Sequence, residues 1–157
     1  MSDHTQEKTV KEDTRTFSLE INDSIASLVF CRPDKANSMN RQFWSEFPET
    51  IARLSNDPSV RVLVISAQGK NFCSGMDLSI FADGSLLNNE NARSREKLRK
   101  LVLSLQATFN AIEELRIPVI VAIQGACIGG ALNLVSACDL RFACNSAYFS
   151  IHETNLA

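Results

Sequence analysis

The chain has 157 residues, of which 45% are hydrophobic, and its 16 basic and 18 acidic residues give a formal net charge of −2. This size and composition are enough for one domain with a buried core. The even charge balance argues against a nucleic-acid partner, which requires a clustered basic surface. No apolar run is long enough to span a bilayer, so small-molecule chemistry is the function class that remains. Five cysteines without a CxxC pair favour reduced thiols over a zinc site or a disulfide framework.

The first fifteen residues are polar and charged and lack apolar periodicity. They predict a disordered tail over residues 1–15. They also contain no apolar segment of the kind found in a secretory signal peptide. On that basis we expect a cytoplasmic protein.

The next part of the chain predicts a hairpin followed by a helix. Residues 17–21 and 25–30 alternate between apolar and polar positions around a polar turn, which is typical of two paired strands. A loop then runs to Asn40, which is placed to cap a helix. Apolar side chains at helical spacing predict that helix over residues 41–54, with a kink or an interruption at Pro48.

A second strand and a second helix follow. Residues 60–65 are rich in β-branched side chains and almost continuously apolar, which predicts a strand covered on both faces. A loop over residues 68–78 ends at Asp77, placed to cap a short helix that ends at Ala82. We expect residues 83–92 to be mobile and residues 93–116 to form an amphipathic helix.

The segment around residues 117–141 organises the remainder. It predicts a buried strand over residues 118–123, a glycine-rich turn over residues 124–130 and a buried helix from there to Cys138. Two short strands are predicted after it, at residues 139–143 and 148–151. Because strands and helices alternate, the fold class is α/β.

Two of these loops, residues 72–78 and 125–130, each connect a strand to a helix and carry a glycine at the bend. If they meet, each could offer a backbone N–H group to one oxygen atom, which is the geometry of an oxyanion hole. Simple strand-to-helix packing explains the same glycines equally well, so the two interpretations stay open on the residues alone.

Cys127 suggests a different class of enzyme. Residues 125–129 have the spacing of a nucleophile elbow with cysteine at the nucleophile position. A cysteine hydrolase would need a downstream base and an orienting acid, and the chain offers only His152 and Asp139 for these roles. Glu153, at the end of an apolar strand, is instead a candidate for proton transfer if its carboxylate is partly shielded from water.

Three motifs together resemble the enoyl-CoA hydratase/isomerase family, also called the crotonase family: residues 32–39, 71–78 and 118–139. The resemblance implies an α/β fold of ββα units wound into a spiral, with residues 16–157 as an acyl-CoA-binding core. It implies that the backbone N–H groups of Met76 and Gly130 hold the thioester oxygen. It further implies that six residues line the substrate channel: Lys35, Ala36, Ser74, Asp77, Leu78 and Gly129.

The same resemblance bears on the reaction. The two glutamates of the hydratases correspond here to Asn133 and Glu153, so Asn133 can bind substrate or water but cannot accept a proton. Closest in character are the dienoyl-CoA isomerases, which implies a double-bond shift with Glu153 moving the proton. No cofactor is implied beyond the coenzyme A of the substrate, and the implied assembly is a homotrimer or a pair of trimers. Two alternatives remain, a hydratase and a non-catalytic fragment.

The family pattern also continues beyond the last residue of this sequence. We therefore expect the core to be incomplete at its C-terminus and the natural gene to continue past Ala157, with an acidic residue soon after Glu153 if the protein is a dienoyl-CoA isomerase.

Overall fold

The computed structural model describes residues 10–13, 16–81 and 91–152, and the statements below concern those residues. They contain eight strands: β1 Val10–Asp13, β2 Phe17–Asn22, β3 Ile25–Phe30, β4 Val62–Ala67, β5 Val119–Ile123, β6 Ala126–Ile128, β7 Leu140–Ala143 and β8 Tyr148–Ser150. They also contain three helices: α1 Arg41–Ser55, α2 Ala92–Glu113 and α3 Gly130–Ser136. Two short 3₁₀ turns lie at Pro33–Lys35 and Leu78–Phe81. The prediction of an α/β fold is confirmed.

Six of the strands form one sheet in the order β1-β2-β3-β4-β5-β7. The pairs β1–β2 and β2–β3 are antiparallel, whereas β3, β4, β5 and β7 run parallel to one another. The loops that leave β3, β4 and β5 therefore start at the same edge of the sheet. In parallel sheets this carboxyl edge is where ligands bind.

The core lies between this sheet and α1. Helix α1 buries one face, which includes Phe43, Phe47 and Ile51, against inward-facing strand residues such as Leu28 and Ile65. Asn40 caps the helix as predicted, since its side-chain oxygen accepts the N–H of Phe43 at 2.9 Å. The loop before α1 therefore ends at Asn40, because the helix is packed in the core and capped at that residue.

The predicted effect of Pro48 was a kink or an interruption, and helix α1 continues through it without interruption. A proline removes one backbone hydrogen bond and crowds the preceding turn. Here Phe47 and Ile51, on either side of it, are 0% and 1% exposed. Their burial outweighs the local cost.

Three further expectations are corrected. Val10–Asp13, inside the predicted disordered tail, form β1 and pair with β2, while residues 1–9 and 14–15 lie outside the described residues. Strand β4 is fully buried only at alternate positions, such as Leu63 and Ile65. The glycine-rich turn contains β6, which pairs in parallel with β8. This pairing leaves no local sequence pattern, because the two strands lie more than twenty residues apart.

The segment predicted to be mobile, residues 83–92, lies outside the described residues except for its last two positions, Asn91 and Ala92, which begin α2. In the described part of the chain, no helix is both long and apolar enough to cross a membrane.

Candidate functional site

A cavity of about 820 Å³ opens at the carboxyl edge of the parallel strands. Its walls come from three loops, from α2 and from the end of the described chain. The first loop follows β3, the second follows β4 and the third follows β5. Eight of the residues assigned from the family resemblance line the cavity: Lys35, Ser74, Met76, Asp77, Leu78, Gly129, Gly130 and Asn133. Motifs separated by up to about a hundred residues in sequence thus meet at one place.

Backbone hydrogen bonds join the second and third loops. Phe72 donates its N–H to Gln124 O at 2.7 Å, and Cys73 donates to Ala126 O at 3.0 Å. In return Ile128 donates its N–H to Cys73 O at 3.1 Å. These bonds hold the two glycine loops side by side, as a shared binding site requires.

Asn37, which is 5% exposed, is one of the residues that join the first loop to the second. Its side-chain nitrogen donates to Gln68 O and Asn71 O, both at 2.9 Å, and its oxygen accepts the N–H of Arg32. Ala36 does not line the cavity, but its carbonyl accepts the N–H of Ser74 at 3.0 Å. Ala36 therefore lies beside the cavity and holds the lining residue Ser74 in place.

Met76 and Gly130 carry the backbone N–H groups proposed to bind an oxygen. Both residues line the cavity. Within the described residues neither N–H group has a hydrogen-bond acceptor. Helix α3, which begins at Gly130, has seven residues, so the local N–H group matters more here than the helix dipole.

Gly75 allows the two donors to come together. Its φ of +84° lies in the region that side chains rarely adopt. A Cβ atom at this position would lie 2.6 Å from Ile128 O and 3.3 Å from Gly130 N. Only glycine permits this approach of the second loop to the third.

Asp77 is the centre of a polar network between the first and second loops. One carboxylate oxygen accepts the N–H of Ser79 at 3.1 Å. The other accepts bonds from Arg32 at 3.2 Å and from the Ser38 hydroxyl at 3.0 Å. Hydrogen bonds from Ser79, and then from Ser38 and Arg32, lower the pKa of Asp77 to about 2. The sequence predicted its capping role but not its pairing with Arg32.

Helix α2, which the sequence predicted only as an amphipathic helix, supplies a further wall of the cavity. Val102, Leu105 and Phe109 belong to its predicted apolar stripe and line the cavity. Phe109 also packs edge-on against Trp44 of α1, with ring centroids 5.5 Å apart. The exposure of Val102, at 43%, is what distinguishes this wall from core packing, and sequence periodicity does not report exposure.

His152 also lines the cavity, and it is exposed. Strand β8 brings it there, since Gly129 donates its N–H to Ser150 O at 3.0 Å. Glu153 is the next residue in sequence and lies outside the described residues. The structure therefore leaves its assigned catalytic role as a prediction.

The cysteine hydrolase hypothesis does not fit the structure. The side chain of Cys127 is 0% exposed and does not line the cavity. Burial raises the pKa of its thiol to about 11, so the nucleophilic thiolate is scarce at neutral pH. Asp139, the acid that this hypothesis required, accepts the backbone N–H of Val119 at 2.7 Å.

A second cavity of about 560 Å³ lies between α1 and α2. It shares Trp44, Met76 and Leu105 with the first cavity, so the two are neighbours. Ser104 and Thr108 of α2 line this cavity but not the first one. Together the two spaces could hold a ligand with a polar centre and an extended apolar tail.

These features define an α/β protein with a ligand cavity at the carboxyl ends of its parallel strands, built from two glycine loops. The sequence profile of the family described as "Enoyl-CoA hydratase/isomerase" matches residues 20–157. The chain belongs to that family.

Named relatives and solved structures agree with this assignment. The chain is 44% identical over 137 residues to the peroxisomal Delta(3,5)-Delta(2,4)-dienoyl-CoA isomerase of Arabidopsis thaliana, covering 85% of this chain and 49% of that protein. It is 43% identical to the mitochondrial enzyme of that name from Mus musculus, covering 80% of this chain and 39% of the relative. The chain thus spans about half the length, or less, of these two relatives.

Among solved structures, the enoyl-CoA hydratase/isomerase of Marinobacter aquaeolei superposes with a TM-score of 0.82 at 28% identity, over 91% of this chain and 54% of that one. The enoyl-CoA hydratase of Shewanella pealeana gives 0.81 at 26% identity, over 90% and 51%. The predicted family and its fold are confirmed.

The predicted cytoplasmic location is contradicted by the names of these relatives, which are peroxisomal or mitochondrial. The prediction rested on the lack of a secretory signal. That criterion does not address peroxisomal or mitochondrial import, which depends on other signals.

Proposed function

We propose that the cavity binds an acyl-CoA thioester and that the protein shifts a carbon–carbon double bond in an enoyl- or dienoyl-CoA. The observation that carries this proposal is the pair of N–H groups at Met76 and Gly130, which line one cavity and have no acceptor among the described residues. Two such donors match the needs of a thioester oxygen that gains negative charge during the reaction. Each is expected to lower the barrier by roughly 3 kcal/mol.

The proton transfer is assigned to Glu153. Its carboxylate removes a proton from the carbon next to the thioester, the electrons delocalise onto the carbonyl oxygen, and the proton returns at a carbon further along the chain. The support for this assignment is that His152, the preceding residue, lines the cavity. A proton shift across a conjugated diene calls for a second proton-handling group, whereas the shorter enoyl shift can use one carboxylate.

Isomerisation is favoured over hydration because of Asn133. Activation of water by two carboxylates requires a second acid in the cavity, and Asn133 lines that cavity with an amide that cannot accept a proton. The relatives with the highest identities cited above are named as isomerases.

The remaining parts of the proposal concern the ligand and the assembly. Lys35, which is exposed and lines the cavity, is assigned to a coenzyme A phosphate. The apolar space between α1 and α2 is assigned to the acyl chain. No group beyond the coenzyme A of the substrate takes part in the proposed reaction, and the homotrimer implied by the family remains part of the proposal.

Turnover of three CoA substrates tests this function: a 3,5-dienoyl-CoA, a 3-enoyl-CoA and a 2-enoyl-CoA. We expect a double-bond shift in at least one of the first two to be faster than addition of water to the third. Glu153→Gln should lower kcat by about 10²–10⁴. The matched control is Glu49→Gln, which alters an exposed glutamate of α1.

Undiminished turnover by Glu153→Gln would refute the assignment of the base. Faster hydration than isomerisation would favour the hydratase alternative. Binding of acyl-CoA without any turnover would favour the non-catalytic alternative.

A further inference from the structure

Arg32, Ser38 and Asp77 form a polar network by bonding to one another. These contacts do not require the network to bind substrate. We propose that it is a positioning device that sets the direction of the Met76 N–H group; this inference rests on the proposed function of that group. In this assignment Asp77 is a positioning residue and not, as the family resemblance implied, a substrate-binding one.

The Met76 N–H group belongs to the peptide between Gly75 and Met76. A trans peptide is planar, so its carbonyl and its N–H group point in opposite directions. Gly75 O accepts the N–H of Met39 at 2.8 Å. The Met76 N–H group must therefore point away from Met39.

The next peptide is held in the same way. Asp77 donates its N–H to Met39 O at 3.0 Å, so both peptide planes flanking Met76 are bonded to one residue. Met39 is 1% exposed, and its carbonyl also accepts the indole N–H of Trp44 at 3.1 Å. The orientation of the Met76 donor is thus only as rigid as the contact between residues 38–39 and 75–77.

The side chain of Asp77 closes that contact from the other side. Its Oδ2 atom accepts two guanidinium N–H groups of Arg32, at 3.2 and 3.3 Å, and the Ser38 hydroxyl at 3.0 Å. Arg32 also donates to Ser38 O at 2.6 Å. The ion pair is only partly exposed, at 17% for Arg32 and 18% for Asp77, so solvent screens it less than a surface pair.

The network needs a carboxylate, because both oxygens of Asp77 face donors. Oδ1 accepts from Ser79 N and Oδ2 accepts from Arg32 and Ser38. Either orientation of an asparagine at this position would place an NH₂ group against a donor. Asp77→Asn therefore disturbs the network while leaving the size of the side chain unchanged.

Steady-state kinetics of the full chain tests the proposal with whichever CoA substrate the wild type turns over. Removal of a whole oxyanion donor costs about 10²–10³ in kcat. Because Asp77→Asn misdirects the Met76 donor without removing it, we expect a fall in kcat of roughly 10- to 100-fold with KM changed by less than about threefold.

The matched control is Asp57→Asn. Asp57 also accepts the N–H of the serine two residues on, Ser59, at 2.9 Å, but it lies outside the cavity. Its substitution should leave kcat and KM unchanged. Two milder variants are Arg32→Lys, which keeps a charged pair, and Ser38→Ala, which keeps most of the network. We expect kcat losses of about 3- to 10-fold for each. If Asp77→Asn does not fold, these two variants test the proposal in its place.

Unchanged kcat in folded Asp77→Asn, or in both milder variants, overturns the positioning role while the proposed function stands. A raised KM with unchanged kcat also overturns it, because that result indicates uniform substrate binding. If the wild type turns over none of the CoA substrates, the proposed function is wrong and the positioning role falls with it.

Discussion

Gly75 lies at a close approach between the second and third loops. Because of the contacts that a Cβ would make with Ile128 O and Gly130 N, Gly75→Ala must push the loops apart. Gly69→Ala is a matched control, since Gly69 has a φ of +83° and a Cβ there would also lie 2.6 Å from its nearest atom, which belongs to Pro33.

Both glycine variants should lose stability by roughly 1–2 kcal/mol for the left-handed backbone alone. Gly75→Ala should also lose kcat by about 10²-fold, as for loss of one oxyanion donor, whereas Gly69→Ala should keep it. Chemical denaturation and steady-state turnover measure the two effects. Equal kcat values in the two variants would contradict the account of Gly75.

Asp77 gives the stability of the protein a dependence on acid. Its pKa is lowered from 3.8 to about 2 in the folded protein. The ionised carboxylate therefore stabilises the fold above about pH 4, and this stabilisation is lost as the pH falls towards 2. We expect the wild type to lose roughly 1 kcal/mol of its advantage over Asp77→Asn across this window, after allowance for solvent screening. Urea unfolding at pH 5 and pH 2.5 measures it, and a difference that does not change with pH would argue against the ionic network.

At the scale of elements, the local patterns predicted most of the secondary structure. Asn40, the alternation in β2 and β3, and the apolar stripe of α2 each depend on near neighbours in sequence. β6 was missed because its partner, β8, is distant. The pairing of Arg32 with Asp77 was missed for the same reason, since these residues are 45 positions apart.

The candidate site was predicted only in part by physical reasoning on the residues. Two glycine loops suggested an oxyanion hole, but nothing in either loop shows that they meet. The family resemblance supplied that expectation, and the parallel order of β3, β4 and β5 explains it. The walls formed by Trp44 and Phe109 depend on how α1 and α2 pack, which periodicity alone does not determine.

The space between α1 and α2 predicts a chain-length effect. Ser104 is exposed and lines this space but not the first cavity. Ser104→Leu should shorten this space, lowering kcat/KM for a long acyl chain by about 10-fold while a short chain is unaffected, in line with the 1–3 kcal/mol typical of a filled apolar pocket.

Lys97→Leu on the same helix is the control, because it introduces the same side chain at an exposed position outside both cavities. The measurement is kcat/KM of both variants with short-chain and long-chain substrates. A uniform loss for both lengths would place the acyl chain elsewhere.

Several large apolar side chains are exposed on β7 and β8, near the end of the described chain. Phe142 on β7 is 62% exposed, Phe149 on β8 is 48% exposed, and Leu140 is 50% exposed. These side chains lie on the two strands that follow α3. Surfaces of this kind mark contacts with other chains or lead to aggregation.

We therefore expect the chain to bind the dye ANS and to show a mass that rises with concentration. The double substitution Phe142→Lys and Phe149→Lys should weaken both effects. Ile25→Lys, at an apolar residue that is 41% exposed and lies on β3, should not. Fluorescence titration and light scattering report the outcome. A wild type that stays monomeric without binding ANS would show that these exposed side chains are not a contact surface.

Amide NMR shows whether Met76 and Gly130 together hold a thioester oxygen. The spectrum is recorded on adding 2,4-dienoyl-CoA and, separately, a thioether analogue that lacks the carbonyl oxygen. The account predicts that the amide protons of Met76 and Gly130 move downfield with the thioester and not with the thioether. Gly129, whose N–H group already donates to Ser150 O, should respond alike to both ligands. Shifts at Met76 and Gly130 that are equal for the two ligands, or absent with the thioester, would contradict it.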